Sequence, residues 1–424
     1  MGEGSRCPEK VRALAKFRRG ESAVVCRACA VSLLGLLLAG CGLAPRRPPG
    51  LSYVLQRPAE AYPEIARPTT ASIAAALGPP QVDSEPRTKP MNILAVCAGG
   101  MDSSFTAGAV VGWTKAGNRP TFDVVTGTSS GALVGAFAFL GPKYDDRMQA
   151  VFTELITTDL FRLRPVRNLL RDGALASPDP LERLIAAEIT EEFMTDLRDA
   201  HAQGRRLFVG TTHVENKRLV VWDLGAIASS GRPDADVLVC KILLASVTWP
   251  GLLPPVDFLV EVDGKWRHEH HIDGGATAQV FVRFGPMAAW PTGDEPASGW
   301  MAGSNLFVLA CGRLYEVPAP APPKLLGRIL GGVSCITGSL ARGDMHRLYA
   351  LSLASGMRFH LLSLPADYRG LDQNLLKVDR AEMRRLFDTG YKMTAARPTW
   401  RHTAPGIEPG EEEAPRGVVI QVKH

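Results

Sequence analysis

The chain carries almost no net charge outside its first forty residues. Of its 48 lysines and arginines and 43 acidic residues, seven and three lie in residues 1–40, which leaves 41 basic against 40 acidic residues. Proteins that bind nucleic acid usually present a basic surface, because contacts to phosphates dominate that interaction. A body with balanced charge therefore argues against nucleic acid as the main partner.

Cysteines are few, and their spacing indicates neither a disulfide framework nor a zinc site. The chain has eight, at Cys7, Cys26, Cys29, Cys41, Cys97, Cys240, Cys311 and Cys335. Three of them, Cys97, Cys240 and Cys311, lie in apolar, strand-like runs, where a free cysteine usually behaves as a small core hydrophobe. We therefore expect no disulfide, no metal ion and no cofactor.

The apolar run near the N-terminus, Ala28 to Leu38, has about eleven residues, fewer than the roughly twenty that a membrane-spanning helix needs. A basic stretch precedes it, and it ends in Leu38-Ala-Gly-Cys41, which resembles the bacterial lipobox. In that motif the cysteine is lipidated and becomes the mature N-terminus. We therefore predict a signal peptide at residues 1–40 and a lipid anchor at Cys41. An ordinary leader with a coincidental cysteine is the alternative.

The predicted anchor implies a location in the bacterial cell envelope. Residue 42 is Gly rather than Asp, which favours the periplasmic face of the outer membrane. Residues 41–90 are rich in proline and alanine, a composition typical of a spacer between membrane and folded body. At the other end, residues 397–424 contain prolines and an acidic run, and we predict disorder there.

A short β-branched run, Val124 to Thr126, leads directly into a glycine-rich turn and then into an apolar helical pattern. This order predicts a strand, a tight turn and a helix, with Ser129 at the apex of the turn. A Cβ at either flanking glycine would collide with the neighbouring strand and helix. Ser129 is thus a candidate nucleophile, and a surface serine in a glycine-rich turn is the alternative. The other residues of this nucleophile elbow are Gly127, Thr128, Ser130 and Gly131.

A second small-residue loop, Ala98-Gly99-Gly100, follows the buried-type strand at 92–97 and precedes another helix. Backbone N–H groups in such a turn form an anion cradle. By itself the loop could be a degenerate dinucleotide-binding turn, in which Ala98 and Ser103 replace two of three glycines. Because Ser129 follows one strand–helix–strand crossover later, the loop is instead a candidate oxyanion hole.

Residues 267–273 predict a polar strand that ends at an aspartate, Asp273, followed by Gly274 and Gly275. Beside a nucleophilic serine, an aspartate that neighbouring glycines leave accessible is a candidate base. An ordinary turn is the alternative for these three residues.

Three histidines in the same strand, His268, His270 and His271, could bind a transition metal, and the first two share one strand face. No further ligand is evident in the sequence, so we expect a polar strand without a metal. We also expect His213 to be solvated.

Four motifs occur here in the order seen in patatin-like phospholipases, and the chain resembles a bacterial lipoprotein member of that family. They are Ala98-Gly-Gly, Gly127-Thr-Ser-Ser-Gly131, Ala245-Ser246 with Pro250-Gly-Leu-Leu-Pro-Pro255, and Asp273-Gly-Gly275. The resemblance implies an α/β fold, a three-layer α/β/α sandwich with a mainly parallel central sheet. It also implies hydrolysis of ester bonds in membrane lipids by a Ser–Asp dyad through an acyl-enzyme, with no histidine.

Carried over to this sequence, the resemblance implies that Ser129 is the nucleophile and Asp273 its base. The amides of Ala98, Gly99 and Gly100 would form the oxyanion hole. Gly274 and Gly275 would complete the DGA/G motif. Two positions depart from the family pattern, because Ala98 replaces the first glycine of the usual triple and Ser103 replaces the last glycine of the loop.

The implied organisation has five segments. After the signal peptide (1–40) and the membrane spacer (41–90) comes a patatin-like phospholipase catalytic domain at 91–290. A C-terminal strand and helices at 291–396 would pack on that domain, and the tail at 397–424 would be disordered. The implied partners are a membrane lipid substrate and the membrane itself, through the lipid anchor.

Two other functions remain open at this stage. A Ser–His–Asp α/β-hydrolase would use a histidine after Asp273 as the base, and His346, His360 and His402 are the candidates. A lipoprotein with a degraded loop could also bind lipid without hydrolysing it.

Overall fold

A computed structural model describes the chain at residues 54–56, 90–164, 174–262, 265–283, 301–315, 325–368, 379–396, 398–408 and 411. The predicted signal peptide and Cys41 lie outside the described residues. The chain divides into two compact units, residues 1–50 with 164–175 and residues 51–163 with 176–424. In the first unit, the described residues are 164, 174 and 175, and the N–H of Arg164 donates to the Leu175 carbonyl at 2.8 Å. The second unit contains the large sheet and the helices that flank it.

The fold is built on a nine-stranded, mostly parallel sheet in the order β1-β8-β9-β6-β3-β2-β10-β11, with β7 paired to β6. Strands β11, β10, β2, β3 and β6 pair in parallel, each with the next, and β1 is parallel to β8. The pairs β6–β7, β6–β9 and β8–β9 are antiparallel. Two further strands, β4 and β5, form a separate antiparallel pair. The strands are Val54–Gln56 (β1), Asn92–Val96 (β2), Val124–Thr128 (β3), Arg162–Leu163 (β4), Ala176–Ser177 (β5), Arg206–His213 (β6), Arg218–Asp223 (β7), Val256–Val262 (β8), Lys265–Asp273 (β9), Asn305–Arg313 (β10) and Arg358–Leu364 (β11).

Helices flank this sheet, which confirms the predicted α/β fold with a mainly parallel centre. None of those in the described ranges has both the length and the apolar character needed to cross a membrane. The helices are Ser103–Lys115 (α1), Ser130–Leu140 (α2), Asp145–Glu154 (α3), Thr157–Leu160 (α4), Asp179–Glu188 (α5), Glu191–Ala202 (α6), Leu224–Ala228 (α7), Ala235–Ser246 (α8), Leu325–Ser355 (α9) and Arg380–Ala395 (α10).

The central strands β2 and β3 are buried on both faces of the sheet. All five residues of β3 are buried, and so are the last four of β2. A strand of a parallel sheet buried on both sides has a continuous hydrophobic run rather than an alternating one. The run Ile93 to Cys97 follows this pattern, which is why the strand at 92–97 is recognisable in the sequence.

The C-terminal helix α10 lies against α1 at very close range. A Cβ at Gly108 would come within 1.9 Å of the Phe387 carbonyl oxygen, and one at Gly390 within 2.0 Å of the Phe105 carbonyl oxygen. Glycine on both helices therefore permits the close contact. Part of the segment 291–396 is thereby held against the first helix after β2.

Several elements differ from the sequence expectation. Strands β8 and β11 were not predicted. Residues 178–203, whose apolar residues recur at a helical spacing, form two helices, α5 and α6. The division occurs at Thr190, whose side chain caps α6 by accepting the Phe193 N–H at 3.2 Å. Strand β1 lies within the predicted spacer and pairs with β8.

The tail prediction needs a correction, because residues 398–408 make defined contacts. Arg401 pairs with Leu361 of β11 through two main-chain hydrogen bonds of 2.7 and 2.9 Å. The Trp400 ring lies 4.8 Å from that of Trp113 and 5.3 Å from that of Phe307. These aromatic contacts offset the entropy cost of ordering this segment. The polar composition of the tail did not predict them. Most of the remaining tail lies outside the described residues.

Candidate active site

Ser129 occupies a strained turn between β3 and α2. Its φ is 55° and its ψ −140°, and among the described non-glycine residues only Lys217 also has a positive φ. A Cβ at Gly127 would lie 2.5 Å from the Gly131 carbonyl oxygen. A Cβ at Gly131 would lie 2.3 Å from the Cys97 carbonyl oxygen. The turn is therefore the tight strand-to-helix elbow that its small residues predict.

The hydroxyl of Ser129 donates a hydrogen bond to Asp273 Oδ2 at 2.6 Å. The other carboxylate oxygen, Oδ1, accepts the N–H of Gly275 at 2.7 Å, and the N–H of Asp273 donates to the Thr248 carbonyl at 2.8 Å. Both side chains are largely buried. The structure thus brings together the two residues singled out in the sequence, although 144 positions separate them.

Strand register explains how this pair forms. Thr128 of β3 pairs with Gly210 of β6, and Thr211 of β6 pairs with Asp273 of β9. The end of β9 therefore meets the carboxyl end of β3 across a single strand. A Cβ at Gly274 would lie 2.3 Å from the Gly210 carbonyl oxygen, so that glycine is needed for the close approach.

Burial raises the pKa of Asp273 to about 6, and hydrogen bonds from Ser129 and Gly275 offset part of that increase. Desolvation disfavours the charged carboxylate, which makes it a stronger proton acceptor than an exposed aspartate. A carboxylate with this pKa can accept a proton near neutral pH and return it afterwards.

Ser246, the last residue of α8, holds the main chain of the elbow in place. Its hydroxyl accepts the N–H of Ser129 at 3.0 Å and donates to the Gly210 carbonyl at 2.8 Å. The sequence motif around Ser246 had been noted, but this role had not been predicted. It depends on a contact between residues 117 positions apart, which no local pattern indicates.

The loop at 98–100 requires a correction, because the N–H of Ala98 is not available to an oxyanion. It donates to the Gln279 carbonyl at 2.8 Å. No acceptor among the described residues takes the N–H of Gly99 or Gly100. Gly100 has a φ of +54°, which glycine adopts without strain. The amides that remain for the predicted oxyanion hole are therefore those of Gly99 and Gly100.

The two departures from the family pattern both have structural partners. Ser103 is buried, and its hydroxyl lies 2.6 Å from Ser130 Oγ and 3.2 Å from Cys311 Sγ. A Cβ at Gly275 would lie 3.0 Å from the Cβ of Ala98. Ser103 thus links the loop after β2 to the elbow at Ser130. The Ala98 methyl group occupies the space beside Gly275.

Gln279 is itself held in place by Asp344 of α9. The carboxylate Oδ2 of Asp344 accepts the N–H of Gln279 at 2.7 Å and that of Val280 at 3.3 Å. Asp344 is fully buried and contacts Arg347. The sequence analysis missed both residues, since neither belongs to a recognisable motif.

The three histidines considered for a catalytic triad do not bond to Ser129. His346 is exposed on α9. His360 contacts Asn305 at 3.1 Å near the amino end of β11, and His402 contacts the Phe359 carbonyl at 2.9 Å. Ser129 follows the carboxyl end of β3, so His360 lies at the opposite end of the strands.

The histidines of β9 lie on both faces of the strand, and His268 and His270 share one face as predicted. His268 pairs with Asp257 and His270 with Glu215, each on the exposed face of the strand.

His271 points to the other face and is buried, and there its ring centroid lies 5.2 Å from that of His213. His213 was expected to be solvated but is buried, because β6 pairs with β9 at this position. With Glu269, these two histidines form the group among the described residues that could hold a metal ion.

The segment that contains this site also matches a known protein family. Residues 94–284 match the family model of patatin-like phospholipases. Among solved structures, the chain resembles VipD from Legionella pneumophila, with a TM-score of 0.35 and 10% sequence identity. That similarity covers 72% of this chain and 66% of the other, slightly under two thirds of its length. No match was found among curated proteins. The segment that carries both Ser129 and Asp273 therefore matches a family of lipid acyl hydrolases, the patatin-like phospholipases.

Proposed function

We propose that this protein hydrolyses ester bonds of membrane lipids with Ser129 as nucleophile and Asp273 as base. The observation that carries the proposal is the 2.6 Å hydrogen bond from Ser129 Oγ to Asp273 Oδ2 at a strained elbow. A serine hydroxyl is a weak nucleophile at neutral pH and needs an adjacent base to accept its proton. A buried carboxylate whose pKa is about 6 suits that task.

In the first half of the reaction, Ser129 Oγ attacks the ester carbonyl carbon as its proton passes to Asp273 Oδ2. The carbonyl oxygen becomes an oxyanion, which the N–H groups of Gly99 and Gly100 would stabilise. When the tetrahedral intermediate collapses, the carbon–oxygen bond to the alcohol breaks. The leaving alkoxide takes the proton from Asp273, and an acyl-Ser129 ester remains.

In the second half, water attacks the acyl-enzyme. Asp273 accepts a proton from that water, and the new tetrahedral intermediate releases the fatty acid as Ser129 Oγ regains the proton. No histidine is required at any step. The hydrogen bond from Gly275 to Asp273 Oδ1 keeps Oδ2 directed at the serine throughout.

The adjacent serines of the elbow provide a sharp test. A fluorophosphonate probe reacts with an activated serine, so it should label the wild-type protein and Ser130→Ala but not Ser129→Ala. Labelling of Ser129→Ala at the wild-type rate would contradict the assignment. A protein that binds lipid without hydrolysing it would not be labelled in any of the three forms.

We also propose that Cys41 carries the lipid anchor and that the protein lies at the periplasmic face of the outer membrane. The support is Leu38-Ala-Gly-Cys41 at the end of a short apolar run. Metabolic labelling with palmitate should be lost in Cys41→Ser but kept in the matched control Cys29→Ser. A processed Cys41→Ser protein that keeps its label and its membrane association would overturn the proposal.

A further inference from the structure

A second polar cluster lies close to Asp273 and has no role in the reaction described above. His213 ends β6, whereas Glu269 and His271 precede Asp273 on the same face of β9, since side chains alternate along a strand. Their exposed fractions are only 5%, 8% and 0%. Polar groups buried to this degree need partners, because an unpaired one costs free energy.

The contacts between Glu269 Oε2 and the two imidazole nitrogens are each 3.5 Å long. Nε2 of His213 is buried without a hydrogen-bond partner, and the nearest carboxylate oxygen, Glu269 Oε2, lies 3.5 Å away. The same oxygen lies 3.5 Å from His271 Nε2. Typical N–H···O distances are about 2.7–3.2 Å. Ligand atoms on a tetrahedral zinc ion, with bonds of about 2.0–2.2 Å, are about 3.4 Å apart.

The far side of each imidazole has a group that can fix its orientation. Thr211 Oγ1 lies 2.8 Å from His271 Nδ1 and also accepts the Trp222 N–H at 2.7 Å. A hydroxyl has two acceptor lone pairs, so it can take both protons and leave His271 Nε2 unprotonated. Metal-binding histidines usually donate their other N–H to such an acceptor.

The ring of His213 is oriented by a main-chain contact instead. Without a metal, its Nδ1 accepts the Asn216 N–H at 3.1 Å, which places the ring proton on Nε2. Glu215 Oε2 lies 3.5 Å from this Nδ1. A metal ion at Nε2 would require the ring proton on Nδ1, with loss of the Asn216 contact.

We propose that His213, Glu269 and His271 bind one divalent transition-metal ion, for which two imidazoles and one carboxylate favour zinc. Solvent completes the tetrahedral coordination. The ion is structural rather than catalytic, because Asp273 directs its two oxygens at Ser129 and Gly275. It joins β6 to β9 at the His213–His271 pair, two residues before Asp273. The ion thereby fixes the strand register that positions the Asp273 carboxylate. The expectation of no metal from the sequence considered His268, His270 and His271 together, and only His271 lies on this face.

The same strand supplies a matched control. The test is the metal content of the full-length protein, purified without a metal-affinity step and measured by inductively coupled plasma mass spectrometry. Wild type and His268→Gln should contain about one zinc per chain after dialysis against zinc, whereas His271→Gln and Glu269→Gln should contain none. A chelator should lower the melting temperature of wild type and His268→Gln but not of the two ligand variants.

Cobalt provides a measurement that does not depend on the folding of any variant. Wild-type protein dialysed against Co²⁺ should show the visible absorption bands of tetrahedral cobalt, and added zinc should remove them. Either of two results overturns the proposal. One is wild-type protein that takes up neither zinc nor cobalt, and the other is folded His271→Gln that binds as much metal as wild type.

Discussion

The carbonyl oxygen of Gln279 accepts the N–H of Ala98 at 2.8 Å. The same oxygen accepts the Thr128 hydroxyl at 2.7 Å, so one acceptor joins the loop after β2 to the end of β3. Asp344 holds the N–H of Gln279 in turn. The position of the candidate oxyanion hole therefore depends on a residue of α9 that is far from both loops in sequence.

The space between Ala98 and Gly275 should couple the two positions. A Cβ on Gly275 would lie 3.0 Å from the Ala98 Cβ, so Gly275→Ala should cost on the order of 1–3 kcal/mol of stability through overpacking. Ala98→Gly should be nearly neutral by itself and should relieve part of that cost in the double variant. Urea unfolding of all four proteins measures the coupling. Additive effects, within about 0.5 kcal/mol, would show that the two positions are independent.

The N–H of Gly100 should matter more than its conformation. A Cβ at this position meets no atom within 4 Å, so Gly100→Ala keeps the N–H and adds only the strain of a positive φ, about 1–2 kcal/mol. Gly100→Pro removes the N–H and also excludes the positive φ, because the ring fixes φ near −65°, and we expect it to lower kcat about a hundredfold or more. The measurement is ester hydrolysis, with circular dichroism to check folding. Equal rates for the folded Ala and Pro variants would argue against an oxyanion donor at Gly100.

The rate of ester hydrolysis should depend on pH through Asp273. The base must be ionised to accept the serine proton, and burial raises the pKa of Asp273 to about 6. We therefore expect kcat/KM for an uncharged ester to be constant above about pH 7 and to fall tenfold per pH unit below about pH 6. A profile measured from pH 4 to 9 that stays flat through pH 6 would contradict this role.

The same shift predicts a stability gain on removing the charge. The folded pKa of Asp273 lies above the ordinary value of about 3.9, so folding favours the protonated form. Ionisation of Asp273 therefore lowers the free energy of unfolding, and this effect is complete once the pH exceeds about 6. Asp273→Asn should thus be more stable than wild type at pH 8, by on the order of 2 kcal/mol, and should lose this advantage below about pH 4. Denaturant unfolding at both pH values tests this, and an equal difference at the two would refute it.

The elbow could be predicted from sequence because its signals are local. Three signals lie within a few residues of Ser129. They are a β-branched run, two glycines at which a Cβ would not fit, and a following helix. The aspartate could be predicted as a candidate for the same reason, since Gly274 and Gly275 follow it directly. What the sequence left open was whether the two would meet, which depends on the register of β6 against β9.

The residues that the sequence did not predict act across long separations. Ser246, Gln279 and Asp344 support the site through hydrogen bonds to residues far from them in the chain. The assignment of Ala98 was wrong because its N–H meets a carbonyl 181 positions later. His213 was expected to be solvated because a turn follows it, yet its strand pairs with β9 and buries the ring. Such contacts follow from topology rather than from local composition.

The identity of the base is the most direct test of the account. Hydrolysis of a lipid ester should be measured for Asp273→Asn and for His346→Gln, His360→Gln and His402→Gln, with the rate expressed per folded molecule. A Ser129–Asp273 dyad predicts that Asp273→Asn falls to near background while each histidine variant stays within a few-fold of wild type. If any folded histidine variant is as inactive as Asp273→Asn, the base is a histidine and the dyad is wrong.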